Sequence, residues 1–316
     1  MADHTKIEWT DATWNPVTGC SVVSPGCTNC YAMKLAGTRM KHHPSRQGLT
    51  IDTKAGPVWN GQVRLNREWL SQPIDWKRPR RIFVCAHGDL FHENVPTDWI
   101  DEVFAVMAIA RHHTFQVLTK RPDRARDYLD DPFRLDNILD HWITHTGAPR
   151  EPDAWPLPNV HLGTSIENRA ALMDRAGELR QANAAKRFFS CEPLLGDLGH
   201  VILDGIDWVI VGGESGRGAR PMHPDWARSL RDQCASAGVP YFFKQWGNWR
   251  AVYDRDVEDP DWRRCGDVMQ RTPRGQWLNL AGGQGFHGER VVRIEPVHKK
   301  IAGRLLDGVE HNGAPA

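Results

Sequence analysis

Short apolar runs, rich in β-branched and aromatic residues, recur along this chain, and each is closed by a polar or glycine-containing turn. They are RIFVCAHGD (81–89), TFQVLTKR (114–121), NVHLGTSIE (159–167), KRFFSCEP (186–193), DWVIVGGESG (207–216) and VPYFFKQWG (239–247). Each run is nearly continuous in apolar residues rather than alternating, as strands covered on both faces are. Between several of them lie stretches with apolar residues at helical spacing: Thr97 to Arg111, Asn168 to Ala184 and Pro224 to Ser236. Thr97 or Asp98 is the N-cap candidate of the first. The runs start roughly 20 to 45 residues apart, the spacing of strand–helix units in a parallel sheet. With a first strand near Ile7 to Trp14, the pattern predicts an α/β fold: a partial or complete parallel (β/α) barrel of about six to seven units, rather than a flat open sheet.

Elsewhere the pattern weakens. Ala32 to Met40 reads as a short helix. Residues 44–80 are loop-rich, with WNGQVRLN (59–66) as one short strand, and 131–158, carrying Pro132, Pro149, Pro152, Pro156 and Pro158, reads as an insertion between two units. Past Asn248 the strand–helix alternation stops, so the chain divides into a barrel over residues 1–247 and a C-terminal cap over 248–316, ending in a loose tail, HNGAPA. Gly283 to Gly288 matches GxGxxG, but the β-like ERVVRI follows it instead of a helix. That reads as a hairpin turn and not as a phosphate cradle.

Charge narrows the functional classes. Forty basic against thirty-nine acidic residues give +1, so no global field draws the protein onto nucleic acid or an acidic membrane. A nucleic-acid partner would need a local patch. Candidates are Lys120, Arg121, Arg124 and Arg126, and the segment Trp76 to Arg81, each equally readable as a solvated face. The longest apolar run, Val103 to Ala110, cannot span a bilayer, and MADHTKIEW has no apolar signal core. No membrane association and a reducing cytoplasmic setting are therefore expected. The fourteen tryptophans read mainly as core or as cover for the barrel mouth, with stacking on a nucleobase as the functional alternative.

The cysteines carry the chemistry. Cys20, Cys27 and Cys30 fall within eleven positions, while Cys85, Cys191, Cys234 and Cys265 are scattered singly. In a reducing compartment such a cluster reads as metal-binding or catalytic rather than as a disulfide framework. Three thiolates can hold three corners of a tetrahedral ion or three irons of a cubic cluster, leaving one position open. Zinc with His42 or His43 as fourth ligand is one reading, and an iron–sulfur cluster is the other. A polar ring at the strand ends supplies partners: His87-Gly88-Asp89, Thr119-Lys120-Arg121, Gly163-Thr164-Ser165, Ser190-Cys191-Glu192, Gly212-Gly213-Glu214-Ser215 and Lys244-Gln245. Strand ends of this kind are where parallel βα folds build their sites. Amides of the GGESG turn could approach an anion, or simply make a tight turn. Cys191 reads either as a buried inert thiol or as a hydrogen-atom or proton donor.

Taken in order, WNPVTGC…PGCTNCYA, GDLF (88–91), LTKRP (118–122), GTSIEN (163–168), EPLL (192–195), GGESG, KQWG (244–247) and KKIAGRLLDG (299–308) resemble the radical S-adenosylmethionine superfamily. More closely, the series is similar to a phage and prophage family with a three-cysteine motif, related in pattern to the spore photoproduct lyases. The resemblance implies that Cys20, Cys27 and Cys30 ligate a [4Fe–4S] cluster whose fourth iron is chelated by S-adenosylmethionine. An electron then cleaves the sulfonium to a 5′-deoxyadenosyl radical that abstracts a substrate hydrogen. It implies Asp89, Ser165, Glu192, Gly212, Gly213 and Glu214 as cofactor contacts, Cys191 and Lys244 as catalytic groups, and a flavodoxin-like or ferredoxin-like electron donor. It further implies, as substrate, DNA or a modified thymine nucleotide, with isomerisation of N-linked glycinyl-thymidine to its C-linked form in phage DNA hypermodification. The alternatives are a spore-photoproduct-like lesion lyase and a zinc-bearing DNA-binding or adaptor protein. Two departures stand out: Cys20 and Cys27 are separated by six residues instead of three, and Asn29 stands where an aromatic often precedes the last cysteine, with Tyr31 as its substitute.

Overall fold

The computed structural model describes residues 5–147, 154–256, 258–259, 264–285 and 290–315. Seven strands, β1 (Ala12–Trp14), β2 (Arg81–Val84), β3 (Thr114–Thr119), β4 (Val160–Ser165), β5 (Lys186–Cys191), β6 (Trp208–Gly212) and β7 (Tyr241–Gln245), form one sheet in that sequential order. The register pairs Ala12 with Ile82, Ile82 with Phe115, Phe115 with Val160, and Val209 with Tyr241, all parallel. Parallel neighbours need crossovers, supplied by α2 (Thr97–Ile109), α3 (Pro122–Leu129), α4 (Arg134–Thr146), α5 (Arg169–Gln181) and α6 (Pro224–Ala237); α1 (Tyr31–Gly37) follows the cysteine loop. Each strand adds beside its predecessor, while β1 and β7 are not paired with each other. The fold is thus the α/β partial (β/α) barrel that the run spacing predicts.

The chain forms two compact units, Met1–Ser165 with Asp174–Phe188, and Ile166–Met173 with Phe189–Ala316. In the first, the Trp9 ring lies 4.9 Å from Phe83 and 6.3 Å from Phe188, and Trp14 lies 5.8 Å from Phe115. Gly163 on β4 makes room for Phe188: a Cβ there would meet the ring at 2.3 Å. In the second unit all five residues of β6 are buried, the continuous apolar run at its fullest. A separate antiparallel sheet of Trp249–Arg255, Val291–Pro296 and Gln276–Leu278 also belongs there.

Several expectations shift. The first strand begins at Ala12, not Ile7. The helix at Thr97 is capped by neither Thr97 nor Asp98: both lie inside it, Pro96 holds the cap position, and Asp98 instead accepts from His141 Nε2 at 3.0 Å. The stretch read as an insertion contains α4. There Arg134 reaches back to the buried Asp101 of α2 at 3.0 Å, and the Tyr128 hydroxyl donates to the same carboxylate at 2.7 Å. Pro149 and Pro152 lie outside the described residues, as do Phe286, His287 and Gly288 of the GxGxxG match. The tail is not loose. Phe243 N–H donates to His311 O and Gly313 N–H to Tyr241 O, both at 3.0 Å, so residues 311–313 occupy the edge of β7 that β6 leaves free. No described tryptophan is exposed, and Trp9, Trp14, Trp59, Trp142, Trp208 and Trp226 are buried, which makes them core.

Candidate functional site

In the first unit, the cysteine loop leaves β1 and is fixed at both ends by backbone. Val17–Thr18 pairs with Arg64–Leu65, Gly19 N–H donates to His87 O, and Gly61 N–H donates to Cys20 O, both at 3.2 Å. Gly19 has φ +98°, and a Cβ would sit 2.1 Å from Gln62 O, so no side chain is tolerated directly before Cys20. Pro25–Cys27 forms a single 3-10 turn. Cys30 precedes α1, whose Lys34 N–H returns to Cys30 O at 3.1 Å. Cys27 is buried, Cys20 and Cys30 half-buried.

Each of two thiols meets a polar side chain. Arg121 Nη1 donates to Cys20 Sγ at 3.9 Å, and Ser24 Oγ lies 3.8 Å from Cys27 Sγ. Burial, with the Asp89 charge adding to it, pushes the Cys20 thiol up to about 12, so ionising it calls for a cation at the sulfur. Among the described residues no three His, Cys, Asp or Glu side chains converge on a single ion position. A tetrahedral ion takes Zn–S bonds of about 2.3 Å and a cubic cluster gives each thiolate its own iron, and three thiols can serve either. His43 Nδ1, within the alternative zinc set, is 2.7 Å from Ser45 Oγ and accepts from Ser45 N–H. Three soft sulfurs on a braced loop fit a cluster.

Behind the loop stands a charged layer that starts from Asp89. Its Oδ1 accepts from Phe91 N–H (3.0 Å) and Thr119 Oγ1 (2.7 Å), and its Oδ2 from Lys120 N–H (3.1 Å) and Arg121 Nη1 (2.9 Å). Four protein donors therefore surround the carboxylate that the sequence suggests as a cofactor contact, and they make it a brace between the ends of β2 and β3. The basic run is internally engaged as well. Arg124 donates to His92 O and Val95 O, and Arg126 to Asp127 and Glu178. Beside this layer, Arg46 Nη2 meets His87 Nδ1 at 2.5 Å; burial, then the Arg46 charge, lowers His87 to about 4 and keeps its ring neutral. Ser165 is buried at the end of β4, its carbonyl accepting from Arg175 Nη1 at 2.8 Å.

The second unit gathers most of the other predicted residues. Lys244 Nζ lies 2.7 and 2.9 Å from the two Glu192 oxygens, and Gln245 Nε2 donates to Gly213 O at 2.9 Å. Gln245 is 3% exposed and its Oε1 is buried without a hydrogen-bond partner among the described residues. Glu214, also buried, is clamped by Arg220 through N–H, Nε and Nη2 at 2.8, 2.9 and 2.5 Å. Gly213 is glycine for packing, because its Cβ would stand 2.2 Å from Trp246 O; at Gly212 a Cβ would approach Glu192 at 3.4 Å. Cys191 is fully buried, and burial, with Cys234 and Glu167 nearby, raises its thiol further.

A family model described as "Protein of unknown function (DUF5131)" matches residues 4–315. The chain belongs to this family. No curated protein matches the sequence. Two solved structures are similar to the DUF5131 chain: a cysteine-to-serine mutant of spore photoproduct lyase, at 14% identity and a TM-score of 0.39 over 86% of this chain and 75% of the other, and a spore photoproduct lyase double mutant with bound AdoMet and dinucleoside spore photoproduct, at 13% and 0.37 over 89% and 67%.

Sequence reading missed three side chains that shape the DUF5131 sites. Arg46 carried no motif signal, Arg220 lies outside the GGESG turn, and Glu93 follows GDLF by two residues. Arg121, by contrast, follows β3 at a strand end that the polar-ring argument reaches.

Proposed function

We propose that this protein is a radical S-adenosylmethionine enzyme whose cluster is held by Cys20, Cys27 and Cys30. The carrying observation is the loop itself: three thiols on a backbone-braced turn, with Arg121 and Ser24 at two of the sulfurs. When bound there, a [4Fe–4S] cluster with S-adenosylmethionine supplies hydrogen-atom abstraction that no side chain can perform alone. The protein's task is then to bind, orient and exclude water.

In the second unit, Glu192 and the buried Gln245 Oε1 offer acceptors suited to an ammonium group. Glu214, through Arg220, is proposed to order the strand ends of that unit, and Ser165 the end of β4 in the first. Lys244, with its protons shared with Glu192, is the proposed proton-transfer group at that end of the sheet. Cys191 would have to be uncovered to serve as a donor, so its proposed role is secondary.

For the substrate we propose a modified thymine nucleotide in DNA, with conversion of an N-linked glycinyl group to the C-linked isomer; the ordered motif series supports this reading. Anaerobic purification tests the class. A brown protein with about four irons and four sulfides per chain, releasing 5′-deoxyadenosine from S-adenosylmethionine under reduction, supports it. A colourless protein with one zinc overturns it. Mass spectrometry of nucleosides from cells supplying glycinyl-thymidine DNA tests the substrate, and absence of a new isomer sinks that part alone.

A further inference from the structure

We propose that Arg121 is a positioning residue: held between Asp89 and Glu93, its guanidinium hydrogen-bonds the Cys20 sulfur and raises the reduction potential of the cluster that this sulfur ligates. The inference rests on the cluster reading above and goes beyond it, to how readily the cluster takes an electron.

Every nitrogen of the guanidinium donates. Nη1 donates to Asp89 Oδ2 at 2.9 Å and to Cys20 Sγ at 3.9 Å, Nε to Glu93 Oε2 at 2.5 Å, and Nη2 to Ser21 Oγ at 2.7 Å. The backbone beneath it is fixed too, since Arg121 N–H donates to Thr119 Oγ1 at 2.9 Å and Asp89 is itself held by three other donors. The side chain is only 11% exposed, so the fork cannot swing away and water does not screen it fully. A planar fork with several donors suits this task as an ammonium would not. Hydrogen bonds and positive charge at ligand sulfurs stabilise the more negative, reduced state of an iron–sulfur centre. One cation and two carboxylates stand together here. Removing either sign should therefore move the potential in opposite directions, which a purely structural role for Arg121 would not do.

The experiment is an EPR-monitored redox titration of the anaerobically reconstituted full chain without S-adenosylmethionine, comparing wild type with R121Q, R121K and E93Q. Glu93 is 56% exposed, so E93Q preserves the fold. At a fixed potential, R121Q should lower the reduced-to-oxidised ratio about tenfold, equivalent to about 59 mV for a one-electron couple. E93Q should shift it the opposite way, and R121K should fall between R121Q and wild type. Coincident midpoints in proteins that each hold about four irons, or shifts of the same sign in R121Q and E93Q, overturn the proposal while leaving the cluster reading intact. Wild type without iron overturns both. If R121Q does not fold, an upward shift in E93Q supports the proposal and an unchanged E93Q midpoint overturns it.

Discussion

Single residues here divide into those that would hold a cofactor and those that hold the holders. Replacing Cys20, Cys27 or Cys30 by alanine is expected to abolish iron binding, as measured by iron content and visible absorption, whereas Cys191→Ala should leave both unchanged. Cys191 is covered on all sides, and its truncation by one sulfur costs packing, about 1 kcal/mol, rather than a ligand. The grouping of three cysteines was legible from spacing alone, because which residues stand close along the chain is a sequence property. The engagement of Asp89 was not. A carboxylate at a strand end looks the same in sequence with or without protein donors around it, and only coordinates reveal Phe91, Thr119, Lys120 and Arg121 there. Arg121 likewise read as a phosphate contact or a solvated face, because sequence shows its charge and not the Asp89 and Glu93 that pair with it.

At the scale of elements, the six apolar runs were readable because burial on both faces leaves a continuous signature, and four of the helices, α1 among them, were readable as well. Helix α4 was obscured by the prolines that surround it, and the cap of α2 because Pro96, which has no side-chain acceptor, holds that position ahead of the polar Thr97 and Asp98. Close approach between elements was invisible as well. Gly163→Ala drives a methyl into the Phe188 ring, and Gly213→Ala into the Trp246 carbonyl. Each is expected to destabilise by about 1 to 3 kcal/mol, read as a lower urea midpoint at unchanged slope. Gly177→Ala on α5, where a Cβ meets nothing within 4 Å, should be neutral or stabilising.

For the molecule as a whole, the buried neutral histidines set the response to acid. Burial, then Arg46, holds His87 near 4 in the folded state, against about 6.5 in the unfolded chain, and burial likewise lowers His92 and His113. The unfolded state therefore binds more protons below pH 6.5, so stability is complete above that value and falls as pH drops towards 4, by about 3 kcal/mol at most from His87. Asp307 adds a second, lower step. The Arg228 hydrogen bond brings its carboxyl to about 2, so its contribution is present above about 3.8 and is lost between there and 2. His87→Asn, which keeps an acceptor for Arg46 without the titration, should flatten the dependence between pH 6.5 and 4 in urea midpoints measured across that range.

The strand formed by residues 311–313 along β7 also bears on solution behaviour. Sheets that end in an open row of amides recruit whatever backbone they meet, including that of their own kind. A chain cut after Gly308 would keep the seven parallel strands and lose the segment that ends them, baring the outward amides and carbonyls of Tyr241 and Phe243. Such a truncation is expected to self-associate with rising concentration in light scattering while the full chain does not, and a peptide spelling EHNGAP should restore the shorter chain to its single-copy size. Residues 311–313 are thus expected to keep one molecule from becoming the next strand of another.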